Sequence, residues 1–290
     1  MHSCVCIKQT PDSTSVYIDP ITGEVDVARF VQILNPADAC AVEAAVRFKE
    51  KLGGDVTAIT LGPVDAEGAL RAALALGADT AVRLWNDDAS DWDAFAIAET
   101  LAAYIQQQST FPDIILCGEA TSDWSSGIVG PALAQYLDLP QMTEVVQLAI
   151  ASENDAIHVQ ATRRLERGYR EQIEGETPLL LTVSSSLNEP RYPSLPAHLN
   201  ALKAPIPVFD PYTFLSEPPI VSDETTLLEV HTPRPLPRHV VGPNSKHSAY
   251  QRIGEIVSGG ATSRKARLVQ GSSQELAQAL VDYLQEQGFV

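Results

Sequence analysis

"IILCGEATSDWSSGIVGPALAQYL" (residues 114–137) carries three textures in succession. Ile114–Cys117 is a short continuous apolar run, the pattern of a strand buried on both faces, as in a parallel sheet. A loop dense in Gly, Ser and Asp follows, and from Gly127 onward "GIVGPALAQYL" reads as a helix. Strand, loop and helix in that order form half of a βαβ unit. In an open parallel sheet, ligands bind beyond the carboxyl ends of the strands, near the point where strand order reverses. The loop after Cys117 is therefore the first place to look for a ligand.

The same alternation runs through the first 185 or so residues, with further strands expected at Val5–Lys8, Val56–Leu61, Ala81–Leu84 and Leu179–Val183. Asn35 before Pro36 is a good N-cap with proline at the first helical position. Ala39, Val42, Ala45, Val46 and Lys49 then recur at helical spacing, which predicts a helix over 36–51 ended by Gly53-Gly54. Cover helices are expected over 65–76 and 91–106, the second with Phe95, Ala98, Leu101, Ala102 and Ile105 on its apolar face. "YIDPITGEVDV" (17–27) reads as a hairpin excursion, and "ENDAIHVQATRRLERGYREQIEG" (153–175) as antiparallel strands, so the sheet is mixed at one side.

Composition narrows the function. Thirty-seven acidic residues against 20 basic ones give a net charge of −17, which disfavours nucleic acid and anionic lipid as partners. "MHSCVCIKQTPD" lacks a basic n-region and a long apolar h-region, and no later stretch is long and apolar enough to span a bilayer, so a cytoplasmic, non-membrane-embedded protein is expected. Cys4, Cys6, Cys40 and Cys117 read as small core hydrophobes. The six histidines are scattered without metal-ligand spacing, and GxSxG is absent, so neither a metal site nor a catalytic nucleophile is expected.

What remains is holding. Free backbone N–H groups at Ser125, Ser126, Gly127 and Ile128, with the two serine hydroxyls, suit a phosphate at a helix N-terminus. On these residues alone a plain Ser/Gly turn accounts for the loop equally well, and both GxGxxG after the first strand and GxxxxGK[ST] are missing. "SGGATS" (258–263) is similar to the SGGxDS phosphate loop of ATP pyrophosphatases, but it has Thr262 where an acid is required.

After Val183 the texture changes: most of the 20 prolines lie from Pro190 onward and periodicity nearly vanishes. A segment that still carries Phe209, Tyr212, Phe214, Leu227 and Leu228 suits an arm that wraps another subunit better than a disordered tail. The chain closes on a capping box, Ser272 with Glu275, and an apolar face of Leu276, Leu280, Tyr283 and Leu284, stopped at Gly288. Basic residues Arg252, Arg264, Lys265 and Arg267 stand out before it, and contact with a partner subunit is expected there.

Several segments, in this order and spacing, carry a resemblance: "CIKQTPDS" (6–13), "ILNPADACAVEAAVRFKE" (33–50), "LGP" (61–63), "LRAALALGADTAVRL" (70–84), "ATRRLERGYREQIEGETPLLLTV" (161–183) and "NEPRYPSLPAHLNALK" (188–203). The chain resembles the electron-transfer flavoprotein β-subunit family over nearly its whole length, although Arg167 stands where the family prefers Gly or an acid. The resemblance implies a Rossmann-like α/β fold, a mostly parallel sheet covered by helices and similar to adenine nucleotide α-hydrolases. It divides the chain into an adenine-nucleotide-binding domain (1–186) and a recognition loop with a C-terminal arm (187–290) ending in a helix.

It further implies a heterodimer with an α-subunit that carries the redox FAD, while this subunit holds AMP, performs no bond-making chemistry, and docks acyl-CoA-type or other flavin dehydrogenases, with a membrane quinone oxidoreductase downstream. Carried over by position, the AMP pocket matches Cys6, Asn35, Pro36, Ala37, Asp38 and Leu61, together with Asp123, Trp124, Ser125, Ser126, Gly127, Ile128 and Val129. The partner-docking loop matches Arg191, Tyr192, Leu195 and Pro196. Ser126-Gly127-Ile128 replaces the family's usual "TGQ", which keeps the hydroxyl and loses the amide. A second branch of the family puts a complete FAD in the AMP site and takes electrons from NADH, with "DGDTAQVGP" where this loop reads "SDWSSGIVGP". A stand-alone nucleotide sensor similar to universal stress proteins would share the sheet but leave the arm and "NEPRYPSLP" unexplained.

Overall fold

The computed structural model describes residues 1–16, 18, 30–153, 156–215, 217, 219, 248–250, 252–253 and 271–286. Contacts divide the chain into two compact units, Met1–Pro233 and Arg234–Val290. The first unit is built on a nine-stranded sheet of order β11-β5-β4-β1-β6-β10-β7-β8-β9. Its strands are β1 (His2–Cys6), β4 (Asp55–Leu61), β5 (Thr80–Leu84), β6 (Ile114–Gly118), β7 (Gln141–Glu153), β8 (Ala156–Arg164), β9 (Arg170–Glu176), β10 (Leu179–Val183) and β11 (Val208–Phe209). Pairings from β11 through β7 are parallel, whereas β7–β8 and β8–β9 are antiparallel, so the mixed edge lies where the alternation in 153–175 places it.

Helices α1 (Pro36–Leu52) and α2 (Glu67–Leu76) share one hydrophobic cluster with Val5, Val56, Ile114, Leu116, Leu179 and Leu181. Helices α3 (Ala94–Gln106) and α4 (Val129–Tyr136) share the other with Cys4, Cys6, Ile115, Cys117 and Leu180. The period-2 alternation of buried strand residues thus divides each inner strand between two helical layers. β1 lies at the centre: β4 and β5 follow on one side, and the chain then crosses back through α3 to place β6 on the other. The strand order reverses there.

Two expected helix starts shift for local reasons. A 3₁₀ turn (Val64–Ala66) precedes α2, so the helix proper begins at Glu67. α3 begins only at Ala94, because the Asp93 carboxylate accepts the Phe95 and Ala96 N–H groups and sets the N-cap there. Phe95, beside that cap, is 41% exposed rather than part of the buried face. Asn35 occupies the N-cap position of α1 but makes no capping hydrogen bond with its side chain. Arg167 takes a left-handed conformation (φ 58°, ψ 22°) in the turn between β8 and β9, the geometry that makes Gly the easier residue at that point.

Most of 17–27 and all of 258–263 lie outside the described residues; on either side of the former, β2 (Gln9–Pro11) and β3 (Gln32–Leu34) pair antiparallel. Residues 187–215 are built into the first unit. β11 extends the sheet beside β5, and Tyr104 packs against Phe209 and Phe214 with centroids 5.5 and 5.6 Å away. In the second unit, α6 (Ser273–Glu286) begins on the expected capping box: Ser272 N–H donates to Glu275 Oε2 at 2.7 Å and Glu275 N–H to Ser272 Oγ at 3.5 Å. Gly288 lies outside the described residues, as do the Leu284 side chain and Arg264–Arg267.

Leu116 is fully buried between the layers. Leu116→Ala should lower unfolding free energy by about 2–5 kcal/mol with an unchanged denaturant slope, measured by urea titration of the circular dichroism signal.

Candidate functional site

Three neighbouring strands end at one edge: β4 at Leu61, β1 at Cys6 and β6 at Gly118. Helix α1 opens across the gap between β1 and β6. Asp38, at its third position and 4% exposed, accepts the Lys8 N–H on Oδ2 and the Gly118 N–H on Oδ1, both at 2.8 Å. One carboxylate thereby ties together the two strand ends that diverge at the switch point. Gly118 is required for it, since a Cβ there would stand 2.4 Å from Asp38 Oδ1 and 2.8 Å from the Ala37 Cβ. Burial dominates the Asp38 carboxyl and raises its pKa to about 7, against the opposing hydrogen bonds from Lys8, Gly118 and the Asn35 side chain.

Asn35 is 1% exposed and spends its amide on the loop after β6. Its Nδ2 donates to Ala120 O and its Oδ1 accepts the Ser122 N–H, each at 3.1 Å. Ser122 Oγ donates to the buried Thr10 Oγ1 at 3.0 Å, and Lys8 Nζ meets Asp123 Oδ2 at 2.6 Å. Burial raises the Asp123 carboxyl, but Lys8 and the neighbouring Thr121 and Trp124 donors outweigh it and hold it low. Glu119 N–H donates to Val183 O, and Ser184 Oγ to Glu119 Oε1. The loop is gripped from α1, from β1 and from the end of β10.

Within 123–129 the expected donors divide. Ser125 is committed, its N–H and Oγ both donating to Thr121 O at 2.9 and 3.0 Å, which corrects the expectation that they are free. The N–H groups of Ser126, Gly127 and Ile128 have no acceptor among the described residues. Gly127 is left-handed (φ 63°) and Ile128, the N-cap of α4, right-handed (φ −85°, ψ −37°). A left-right pair turns successive N–H groups into one concavity, the geometry of an anion-binding nest at a helix N-terminus. Trp124 stands 77% exposed at the rim.

The expected docking residues lie together at the start of α5 (Leu195–Lys203). Ser194 caps the helix, accepting the Ala197 N–H at 3.3 Å, with Pro196 in its first turn. Tyr192 is 98% and Leu195 70% exposed, so this leucine does not pack back on its own domain. Arg191 turns inward, pairing with Glu43 and Glu50 of α1. Sequence reasoning missed Lys8, Thr10, Ser122, Glu119 and Glu43. Only Glu43 had a local signal: an acid beside Val42 and Val46 on the buried face of a helix.

Cys6 and Cys117, paired in register on β1 and β6, are buried free thiols. The Cys117 thiol is pushed up by its hydrogen bond with Cys6 and by burial, which keeps it unreactive. The arrangement can bind and orient.

The raised Asp38 pKa has a definite sign. The folded protein binds this proton more tightly than the unfolded chain, so the stability it contributes is complete below about pH 3.8, the ordinary value for an aspartate, and is lost as pH rises towards about 7. The stability of wild type relative to Asp38→Asn should therefore fall between pH 4 and 7 in paired thermal melts. Gly118→Ala should cost about 1–3 kcal/mol by overpacking against Asp38, measured by urea unfolding at neutral pH.

A family model described as electron transfer flavoprotein domain matches residues 25–213. The chain is 44% identical to the electron transfer flavoprotein subunit beta of Thermoanaerobacterium thermosaccharolyticum over 69% of this chain and 75% of the relative. It is 39% identical to the protein of the same name from Bacillus subtilis, over 71% and 77%. Identity is 38% to the caffeyl-CoA reductase-Etf complex subunit CarD of Acetobacterium woodii, over 72% and 78%. No helix among the described residues is long and apolar enough to cross a membrane. With the fold, the length of the match and these identities together, the chain belongs to the electron transfer flavoprotein family, as a subunit of the β type.

Proposed function

We propose that this chain is the β-subunit of a heterodimeric electron carrier, and that it binds AMP at the carboxyl edge of β4, β1 and β6 and braces an α-subunit. The observation that carries the reading is the loop 118–129, gripped by Asn35, Asp38 and Lys8, whose Ser126, Gly127 and Ile128 N–H groups are left without acceptors among the described residues. That donor set fits a phosphate: three successive amides at a helix N-terminus, with the Ser126 hydroxyl beside them. Asn35, Asp38, Cys6 and Leu61 form the floor.

FAD on the α-subunit supplies the electron-carrying chemistry when bound. The work of this chain is mechanical. A ligand that binds only the folded form stabilises it by about 2.7 kcal/mol at a hundredfold excess over its Kd. With the loop so stiffened, the subunit offers the α-subunit a fixed surface. Tyr192, Leu195 and Pro196 then dock a flavin dehydrogenase of the acyl-CoA type, Leu195 entering a partner pocket at small entropic cost because Pro193 and Pro196 flank it. A cytoplasmic site of action suits such a carrier.

The likeness to a subunit of a caffeyl-CoA reductase-Etf complex favours a second reading, in which the same edge holds a complete second FAD and the complex accepts electrons from NADH. Extraction of nucleotides from the purified heterodimer separates the two. About one AMP and one FAD per heterodimer is the expected result, whereas two FAD and no AMP selects the second reading. A lone subunit that purifies with ATP refutes both. Gly127→Val, which forces a β-branched residue into a left-handed conformation, should reduce the bound nucleotide at least about tenfold.

A further inference from the structure

We propose that Glu43, buried within α1, is a positioning residue for partner docking: through Arg191 it fixes the direction in which Tyr192 and Leu195 are presented. This rests on the docking role given above to that segment.

The Glu43 side chain is 2% exposed, yet it faces two guanidinium groups. Arg191 approaches it with Nε at 2.8 Å, Nη2 at 3.3 Å and its own backbone N–H at 3.1 Å, so side chain and main chain of one residue converge on one carboxylate. Arg47 Nε closes the remaining side at 2.6 Å, and its Nη2 reaches Glu189 O at 3.2 Å. Glu50 takes the outer edge of the Arg191 fork. Upstream, Asn188 Nδ2 donates to Cys40 O at 3.0 Å. Burial raises the Glu43 carboxyl, and the Arg191 and Arg47 donors outweigh it and hold it ionised.

A buried ion pair is a poor way to gain stability, since desolvation consumes most of the attraction and an apolar side chain of similar size does as well. Between Val42 and Val46, Leu or Met would pack. What a carboxylate adds is direction: a bidentate fork has one orientation, and a bonded backbone N–H fixes the main chain as well. The residue fixed is 191, immediately before the 98% exposed Tyr192.

The far end of the segment is fastened independently. Arg71 Nη1 donates to the carbonyls of Ala201, Leu202 and Ala204 at 2.9, 3.0 and 3.3 Å, closing the C-terminus of α5. Residues 192–200 are thus held between two arginines, and only the Arg191 end depends on a buried acid. Docking then need not order the segment, a saving that appears as affinity for the partner and not as turnover.

The test uses the FAD-loaded heterodimer, reduced by a medium-chain acyl-CoA dehydrogenase supplied with octanoyl-CoA. Glu43→Gln keeps the shape and removes the charge. We expect its KM as electron acceptor to rise about fivefold to tenfold with kcat within about twofold, and trypsin to cut after Arg191 about tenfold faster. A folded Glu43→Gln heterodimer with wild-type KM and wild-type cleavage overturns the proposal. Should Glu43→Gln fail to fold, Arg191→Lys, still a trypsin site, must show the same two changes, and their absence overturns it equally. Leu195→Ala separates the layers: if it raises KM with cleavage unchanged, the docking reading stands. If it leaves KM untouched the docking reading falls, while the cleavage rates still decide whether Glu43 holds the segment.

Discussion

A single carboxylate sets the geometry at the centre of this protein. The sheet reverses strand order at β1, and any doubly wound sheet must hold open a crevice there without leaving its strand-end amides unpaired. Asp38 resolves both demands by accepting one N–H from each bank, at Lys8 and Gly118. Its cost is visible in a pKa raised to about 7. The fixed banks in turn give Asn35 a place from which to tie down Ala120 and Ser122. Loop 118–129 inherits its shape from that first turn of α1.

Fold class was legible because its signals are local. A continuous apolar run such as Leu179–Val183 admits few readings, and the strand spans those residues as expected. Asn35–Pro36 marks the start of α1 to the residue. Expectation and structure part where a side chain or amide has a partner, near or far, that its own residue type does not reveal. Asn35 has the chemistry of a cap, but loop amides 85 and 87 residues away claim its side chain. Nothing in the residues around Ser125 signals a partner, yet its hydroxyl donates to Thr121 O, four residues back.

The supporting shell was mostly illegible. Lys8 and Asp123 are 115 residues apart, and nothing in either neighbourhood announces the other. Thr10 and Ser122 are ordinary turn-forming residues until the fold places their hydroxyls 3.0 Å apart. Glu43 differs in kind, since an acid on the apolar stripe of a helix is a local anomaly that demands a partner. The resemblance singles out the loop and residues 191–196, but not the means by which they are held.

The strand β11 bears on how the chain is divided. Its pairing with β5 reaches beyond the ladder, through Arg83 N–H to Pro207 O and Trp85 N–H to Phe209 O. The polypeptide that leaves α5 therefore serves as the flank of the sheet before it goes anywhere else. Trimmed back to residues 1–186, the molecule would bare a row of backbone groups on β5, an adhesive margin for any other extended strand. The first stretch after α5 thus covers an edge that would otherwise lie open to strand pairing.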